Sequence, residues 1–173
     1  KLLGEAKRDI GIVTNGSLFN DERIDLIKKY ATWIRISMDS SNGTTHKQIH
    51  GTPGSDFERR LNWIKKLVDN KREDLIVGIS FIITPENYDD VENSARLYAS
   101  IKVNHIRFSW MFDKEGHAGL SQKQIDDVII LIQKLQDELN TEKFKIFNEA
   151  NRIQLYTAKN DFKTCHFQRF SRK

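Results

Sequence analysis

The stretch WIRISMDSSNGTTHKQIHG, Trp33 to Gly51, decides how the chain is read. It opens as a β-strand in which Ile34, Ile36 and Met38 alternate with Arg35, Ser37 and Asp39, so that one face is apolar and the other polar. The habit recurs. Ile106, Phe108 and Trp110 alternate with Arg107 and Ser109, while Val77, Ile79, Phe81 and Ile83 alternate with Gly78, Ser80, Ile82 and Thr84. One polar strand residue is readily a satisfied core or edge group, but the same alternation in successive strands asks for a common cause.

Working outward, β-rich runs lie near 10–14, 33–38, 75–83 and 105–112, with a weaker one at 143–147, and amphipathic helices fall between them. The first helix, in NDERIDLIKKYA, turns Ile24, Ile27 and Tyr30 to one side. The second is expected to begin at SDFE, where Ser55 and Glu58 have capping-box spacing, with Phe57, Leu61, Ile64 and Leu67 or Val68 as its stripe. A third follows Pro85, with Asn87 as its cap and Val91, Ala95 and Tyr98 inward. The fourth starts after Ser121 and carries Ile125, Val128, Ile129, Ile132, Leu135 and Leu139 at helical spacing.

The order βαβαβαβαβ predicts an α/β fold with a parallel sheet and right-handed crossovers. Five such strands are too few for a closed eight-stranded barrel, which leaves an open doubly wound sheet or an arc of a barrel. Strands covered by helices on both faces read as unbroken apolar runs, and these do not. The expected fold is therefore a barrel arc whose concave face holds a polar ligand, with Arg35, Ser37, Ser80, Arg107 and Ser109 on that face. Ligands of parallel α/β folds sit at the carboxyl ends of strands, here Thr14-Asn15-Gly16, Ser37 to Asp39, Thr84 to Asn87 and Ser109-Trp110. Turn and cap chemistry remains an alternative for Asn15-Gly16 and Asn87.

Composition narrows the class. A chain of 173 residues with 38% hydrophobic and 30% charged side chains fits one globular unit, without linker, repeat or low-complexity tract. A net charge of +4, with the lysines spread among acids, describes solvated helix faces and argues against a nucleic-acid footprint. No apolar run has the length of a membrane span, and the single Cys165 cannot form an internal disulfide, so a reducing, cytoplasmic setting without membrane association is expected. The sequence opens at Lys1 without a methionine and is expected to be part of a longer protein.

Taken together, GIVTNGSLF, IRISMDSS followed by HKQIHG, VGISFIITPENYDDVE and VNHIRFSWMF resemble the middle and later strands of radical S-adenosylmethionine (SAM) enzymes, over about residues 9 to 112. Four motifs carry the likeness: the T-N-G turn, an I-S-x-D strand, a segment like H-x-x-x-R-G at His46 to Gly51, and the N-x-x-D helix start at Asn87 to Asp90. The resemblance implies an arc of a partial (βα)6 TIM-like barrel, with SAM and a [4Fe-4S] cluster as cofactors of the intact protein and a reductant for the cluster. The substrate it implies is a peptide or small molecule from which a 5'-deoxyadenosyl radical takes hydrogen.

Carried onto this sequence, the resemblance makes Ser37 a contact of the SAM ribose or carboxylate, sets Asn15 at the rim near the methionine end, and gives Asp39 the place of the acid after the strand. Ser109 joins them as a cofactor-binding candidate. His50 stands where an arginine often meets the SAM carboxylate, and a neutral imidazole lacks that fixed charge. The patch Phe108, Trp110, Met111 and Phe112 is open to two readings, as a flank for the adenine or as core. No catalytic residue is assigned.

The chain also departs from the family pattern. The C-x-x-x-C-x-x-C loop that ligates the cluster is absent, as is the G-G-E-like segment; both are expected upstream of Lys1, and this chain alone is expected to be inactive. FKTCHFQRFSRK resembles the start of the cysteine-rich extension called SPASM, which divides the chain into a partial barrel over 1–150, lacking its first strands, and the start of that extension over 151–173, with Cys165 as an auxiliary-cluster ligand. Zinc held by Cys165-His166, or by His46 with His50, would need two further ligands that nothing supplies. The rival reading is a non-catalytic α/β module or scaffold binding a nucleotide or phosphate, with GTPGSD before the second helix as a weak glycine-rich loop.

Overall fold

Alternating residues become strands and the helical stripes become their cover. The computed structural model describes residues 8–111 and 119–149. In chain order the elements are β1 (Gly11–Thr14), α1 (Asp21–Tyr30), β2 (Trp33–Ser37), α2 (Gly43–His50), α3 (Gly54–Val68), β3 (Ile76–Ile83), a 3-10 turn (Tyr88–Asp90), α4 (Val91–Ser100), β4 (His105–Trp110), α5 (Gln122–Leu139) and β5 (Lys145–Asn148). The five strands form one parallel sheet in the order β1-β2-β3-β4-β5. A doubly wound sheet reverses its strand order at a switch point, and this order never reverses. The helices accordingly share one face, as in an arc of a barrel.

Burial separates the faces. Ile34, Ile36, Val77, Ile79, Phe81, Ile83, Ile106, Phe108, Trp110 and Ile146 lie in the core with Ile24, Phe57, Ile64, Tyr98, Ile132 and Leu135 of the helices. Each such side chain stabilises the fold by roughly 2 kcal/mol through removal from water, which fixes the register because a one-residue slip would turn the whole set outward. On the opposite face Val13, Trp33, Ile76, Ile82 and Phe147 are exposed, and Arg35, Ser37, Ser80, Arg107 and Ser109 are half-buried among them. The polar strand residues thus take the face expected of them.

Three local expectations are corrected. The second predicted helix begins at Gly54, after Pro53, so Ser55 stands within the first turn and makes no cap; the capping-box spacing of Ser55 and Glu58 is unused. The reason is a close crossing, since a Cβ at Gly54 would stand 3.0 Å from the Gly43 carbonyl oxygen, and one at Gly43 would stand 2.8 Å from that of Gly54. Asn87 does not cap its helix either, because its side chain is spent on the strand ends described below. Helix α2 is an element the apolar pattern does not announce, being short and polar, with His46 its only buried residue. Ser121, by contrast, forms a full capping box with Gln124 at the start of α5.

Candidate active-site face

The loop after β2, from Met38 to Asn42, is held from several sides. The Asp39 carboxylate accepts the Ile82 N–H at 2.7 Å, tying it to the end of β3. Asn87, fully buried, donates from Nδ2 to the carbonyls of Asp39 and Ile82, both at 2.9 Å, while its Oδ1 accepts the Thr84 N–H at 2.7 Å. The Tyr98 hydroxyl donates to the Ser40 carbonyl at 2.9 Å, and Asp90 accepts the Ser41 N–H at 2.6 Å. The N-x-x-D motif is therefore a clamp on the β2 loop. Its two side chains arrest backbone that would otherwise leave buried donors and acceptors unpaired.

Helix α2 adds a second layer. Asn42 caps it, accepting the N–H groups of Thr44 and Thr45 at 3.0 and 2.9 Å. His46 lies between the Ser40 hydroxyl, 3.3 Å from Nδ1, and Asp56, 3.4 Å from Nε2. Burial lowers its pKa, and the charge of His50 lowers it further against the pull of Asp56. Asp56 in turn pairs with Arg59 and with Arg60 at 2.6 Å, and Arg60 donates to the Asn15 carbonyl at 3.0 Å. The loops after β1 and β2 are thus joined through α3.

The candidate residues sort as follows. Ser37 and Ser109 face the helix-free side with no hydrogen-bond partner among the described residues, as does Ser80 beside Ser37 in the register. Asp39 lies at the end of β2, where burial raises its pKa against the opposing effects of the Ile82 N–H, His50 and Arg60. His50, in the last turn of α2, has Nε2 3.4 Å from the Asp39 carboxylate, so these two meet each other. The Asn15 side chain accepts the Ser17 N–H at 3.0 Å, which is the turn reading, and leaves its amide nitrogen free among the described residues. Phe108 and Trp110 belong to the core and Met111 is exposed; Phe112, Cys165 and the whole of 151–173 fall outside the described residues.

Two features of this face went unread in the sequence. His105 lies over Gly78, where a Cβ would stand 2.1 Å from its Nε2, and the Trp33 ring lies over Gly11 in the same way, 2.2 Å from a Cβ there. A glycine inside a strand, flanked by apolar residues, is the signal that marks such a close approach. Gly54 of GTPGSD likewise serves the crossing with Gly43, so the phosphate-loop reading finds no support in its packing.

A parallel sheet in unreversed strand order, with helices on one face and, among the described residues, unpaired hydroxyls on the other, is the architecture of a partial α/β barrel. The chain belongs to the radical SAM superfamily, whose family description matches residues 1–98, from before β1 into α4. It is 26% identical over 108 residues to the antilisterial bacteriocin subtilosin biosynthesis protein AlbA of Bacillus subtilis (strain 168), covering 61% of this chain and 23% of that protein. Among solved structures it resembles Streptococcus suis SuiB bound to precursor peptide SuiA, with a TM-score of 0.65 at 13% identity over 98% of this chain and 39% of that one. Archaeal TYW1 follows at a TM-score of 0.54 and 21% identity, over 80% of this chain and 42% of that one. At these identities the structural likeness is one of fold. The chain spans about a quarter of the curated relative and about two fifths of the solved structures.

Proposed function

We propose that the chain is part of a radical SAM enzyme whose helix-free face holds SAM at the strand ends and a substrate deeper in the barrel. The observation that carries this is the coincidence of the family match, over residues 1–98, with the open hydroxyls of Ser37 and Ser80, to which Ser109 of β4 adds a third on the same face. In the intact protein, bound SAM together with a reduced [4Fe-4S] cluster would supply the radical chemistry for hydrogen-atom abstraction from a substrate. The cluster does not fit the residues present, since three thiolates are needed and Cys165 is the only cysteine; its ligands belong to sequence outside these 173 residues. SAM does fit. Its ribose and carboxylate call for hydrogen-bond partners, which Ser37 and Ser109 offer free, with Asn15 at the rim.

Asp39 fixes the end of β3 and holds His50, so His50 reaches a SAM carboxylate by exchanging one carboxylate for another. The hydroxyls orient the cofactor, and the clamp of Asn87 and Asp90 keeps the β2 loop still while it binds. A peptide is the favoured substrate class, because one solved relative is bound to a precursor peptide and AlbA serves bacteriocin biosynthesis. Residues 151–173 are read as the start of a SPASM-type extension with Cys165 as an auxiliary-cluster ligand. No helix among the described residues is long and apolar enough to cross a membrane.

The test is to express the reading frame extended upstream of Lys1, reconstitute it anaerobically with iron and sulfide, and assay 5'-deoxyadenosine after reduction. A site-differentiated cluster of about four irons and cleavage of SAM are expected. The 173-residue chain treated alike is expected to stay colourless. A longer protein that binds neither iron nor SAM would return the chain to the scaffold reading.

A further inference from the structure

Arg35 stands midway along β2 on the helix-free face, and its Nε is buried without a hydrogen-bond partner among the described residues. Arg60 Nε is likewise buried and unpaired, but the Arg60 guanidinium reaches Asp56, as Arg59, Arg72, Arg96 and Arg107 reach carboxylates of their own. The register sets Arg35 beside Gly78, with His105 beyond it and Lys145 beyond that. Because the His105 ring leans over Gly78, it approaches β2 across the space a side chain would have filled. Burial lowers the His105 pKa, and the charges of Arg35 and Arg107 lower it further, so the ring beside the guanidinium is neutral. Glu149 is engaged by Arg107, and Asp39 by the Ile82 N–H and His50. Among the described residues no acid answers Arg35.

A partly desolvated guanidinium without a counter-charge is costly, and the group that satisfies it best is a planar carboxylate taking two parallel N–H bonds. We propose that Arg35, with His105 beside it over Gly78, is the subsite that receives a carboxylate of the substrate. This rests on the enzyme reading above. Arg35 lies about 7 Å below Ser37 along the strand, deeper than the proposed cofactor contacts, which points to substrate and not SAM as the source of the carboxylate. In a peptide that carboxylate is either an acidic side chain or the chain terminus.

The experiment uses the 173-residue chain with labelled arginine and histidine, following the Arg35 Nε–H signal by NMR. N-acetylglutamic acid α-amide supplies a side-chain carboxylate, N-acetylglycine a terminal one, acetamide a neutral control, and SAM the competing source. One or both carboxylates should give a saturable shift, and the tighter of the two identifies the source. Arg35→Lys should weaken binding ~10-fold by losing the fork, and Arg35→Gln should abolish it. Carboxylate binding should move the His105 titration to higher pH in the parent chain and leave it unmoved in Arg35→Gln, which a purely structural arginine would not produce. If Arg35→Gln does not fold, Arg35→Lys, which keeps the charge, carries the comparison. The proposal is overturned if neither carboxylate exceeds acetamide, if Arg35→Lys binds like the parent, or if SAM moves the signal more than either. The titration requires no cluster and no turnover, so its failure is distinct from a longer protein that fails to cleave SAM.

Discussion

Asp39 shows how far one side chain's duties can be told apart. It accepts the Ile82 N–H and meets His50, yet burial disfavours its charge. Asp39→Asn keeps an acceptor for that N–H and removes the disfavoured charge, whereas Asp39→Ala leaves a buried donor unpaired at a cost of about 1 to 3 kcal/mol. Urea unfolding at pH 7 should therefore rank Asn well above Ala; equal losses would mean the N–H bond contributes nothing. Asp56 has the opposite electrostatic history. Burial pushes it up, but hydrogen bonds from Arg59 and Arg60 overcome this and hold its carboxyl at about 2 against an ordinary 3.8. A folded pKa below the unfolded one means stability that is present above pH ~4 and lost as pH falls toward 2, here roughly 2 kcal/mol. His46, also depressed, adds a loss of the same sign beginning below 6.5. Unfolding at pH 7, 4 and 2.5 should show Asp56→Asn losing the lower window and keeping the upper one.

Among the elements, α2 and α3 form the unit whose geometry is least forgiving. Gly43 opens α2, where alanine would ordinarily favour the helix by up to about 1 kcal/mol, but a Cβ there would stand 2.8 Å from the Gly54 carbonyl oxygen. The contact is with backbone, so the helices must part, and overpacking of that kind costs about 1 to 3 kcal/mol. Gly43→Ala should lower the thermal midpoint; a rise would show that the crossing relaxes freely. This unit was also the hardest to read. The strands declared themselves through alternation, and α5 through its apolar stripe and the Ser121 cap. Helix α2 has one buried residue to betray it, and its function is to carry His46 and His50 toward carboxylates distant in sequence. Ser55 and Asn87 misled for a related reason: each had the chemistry of a cap, but a tertiary constraint, the Gly43–Gly54 crossing in one case and the bonds to Asp39 and Ile82 in the other, took the position first.

At the scale of the whole molecule, the polar face could be read because a period of two survives any tertiary context, while its glycine-seated rings could not, since Gly78 and His105 become neighbours only through the register of β3 and β4. That Ser37 faces the helix-free side was legible; that Asp39 would be bound to Ile82 was not, because the partner lies 43 residues away. The strand order has a further consequence, in the time the chain takes to be made. Every strand pairs only with those immediately before and after it, as in Gly11 with Trp33, Trp33 with Ile76, Gly78 with His105, and His105 with Lys145. A sheet so ordered can be laid down in the sequence in which a ribosome delivers it, each new strand finding its template already emerged, whereas a doubly wound sheet must leave a gap for a strand not yet synthesised. Pulse-labelled hydrogen exchange on stalled nascent chains should find β2 protected before β3 has left the tunnel, and β3 before β4; protection that waited for β5 would show that the sheet closes only as a whole.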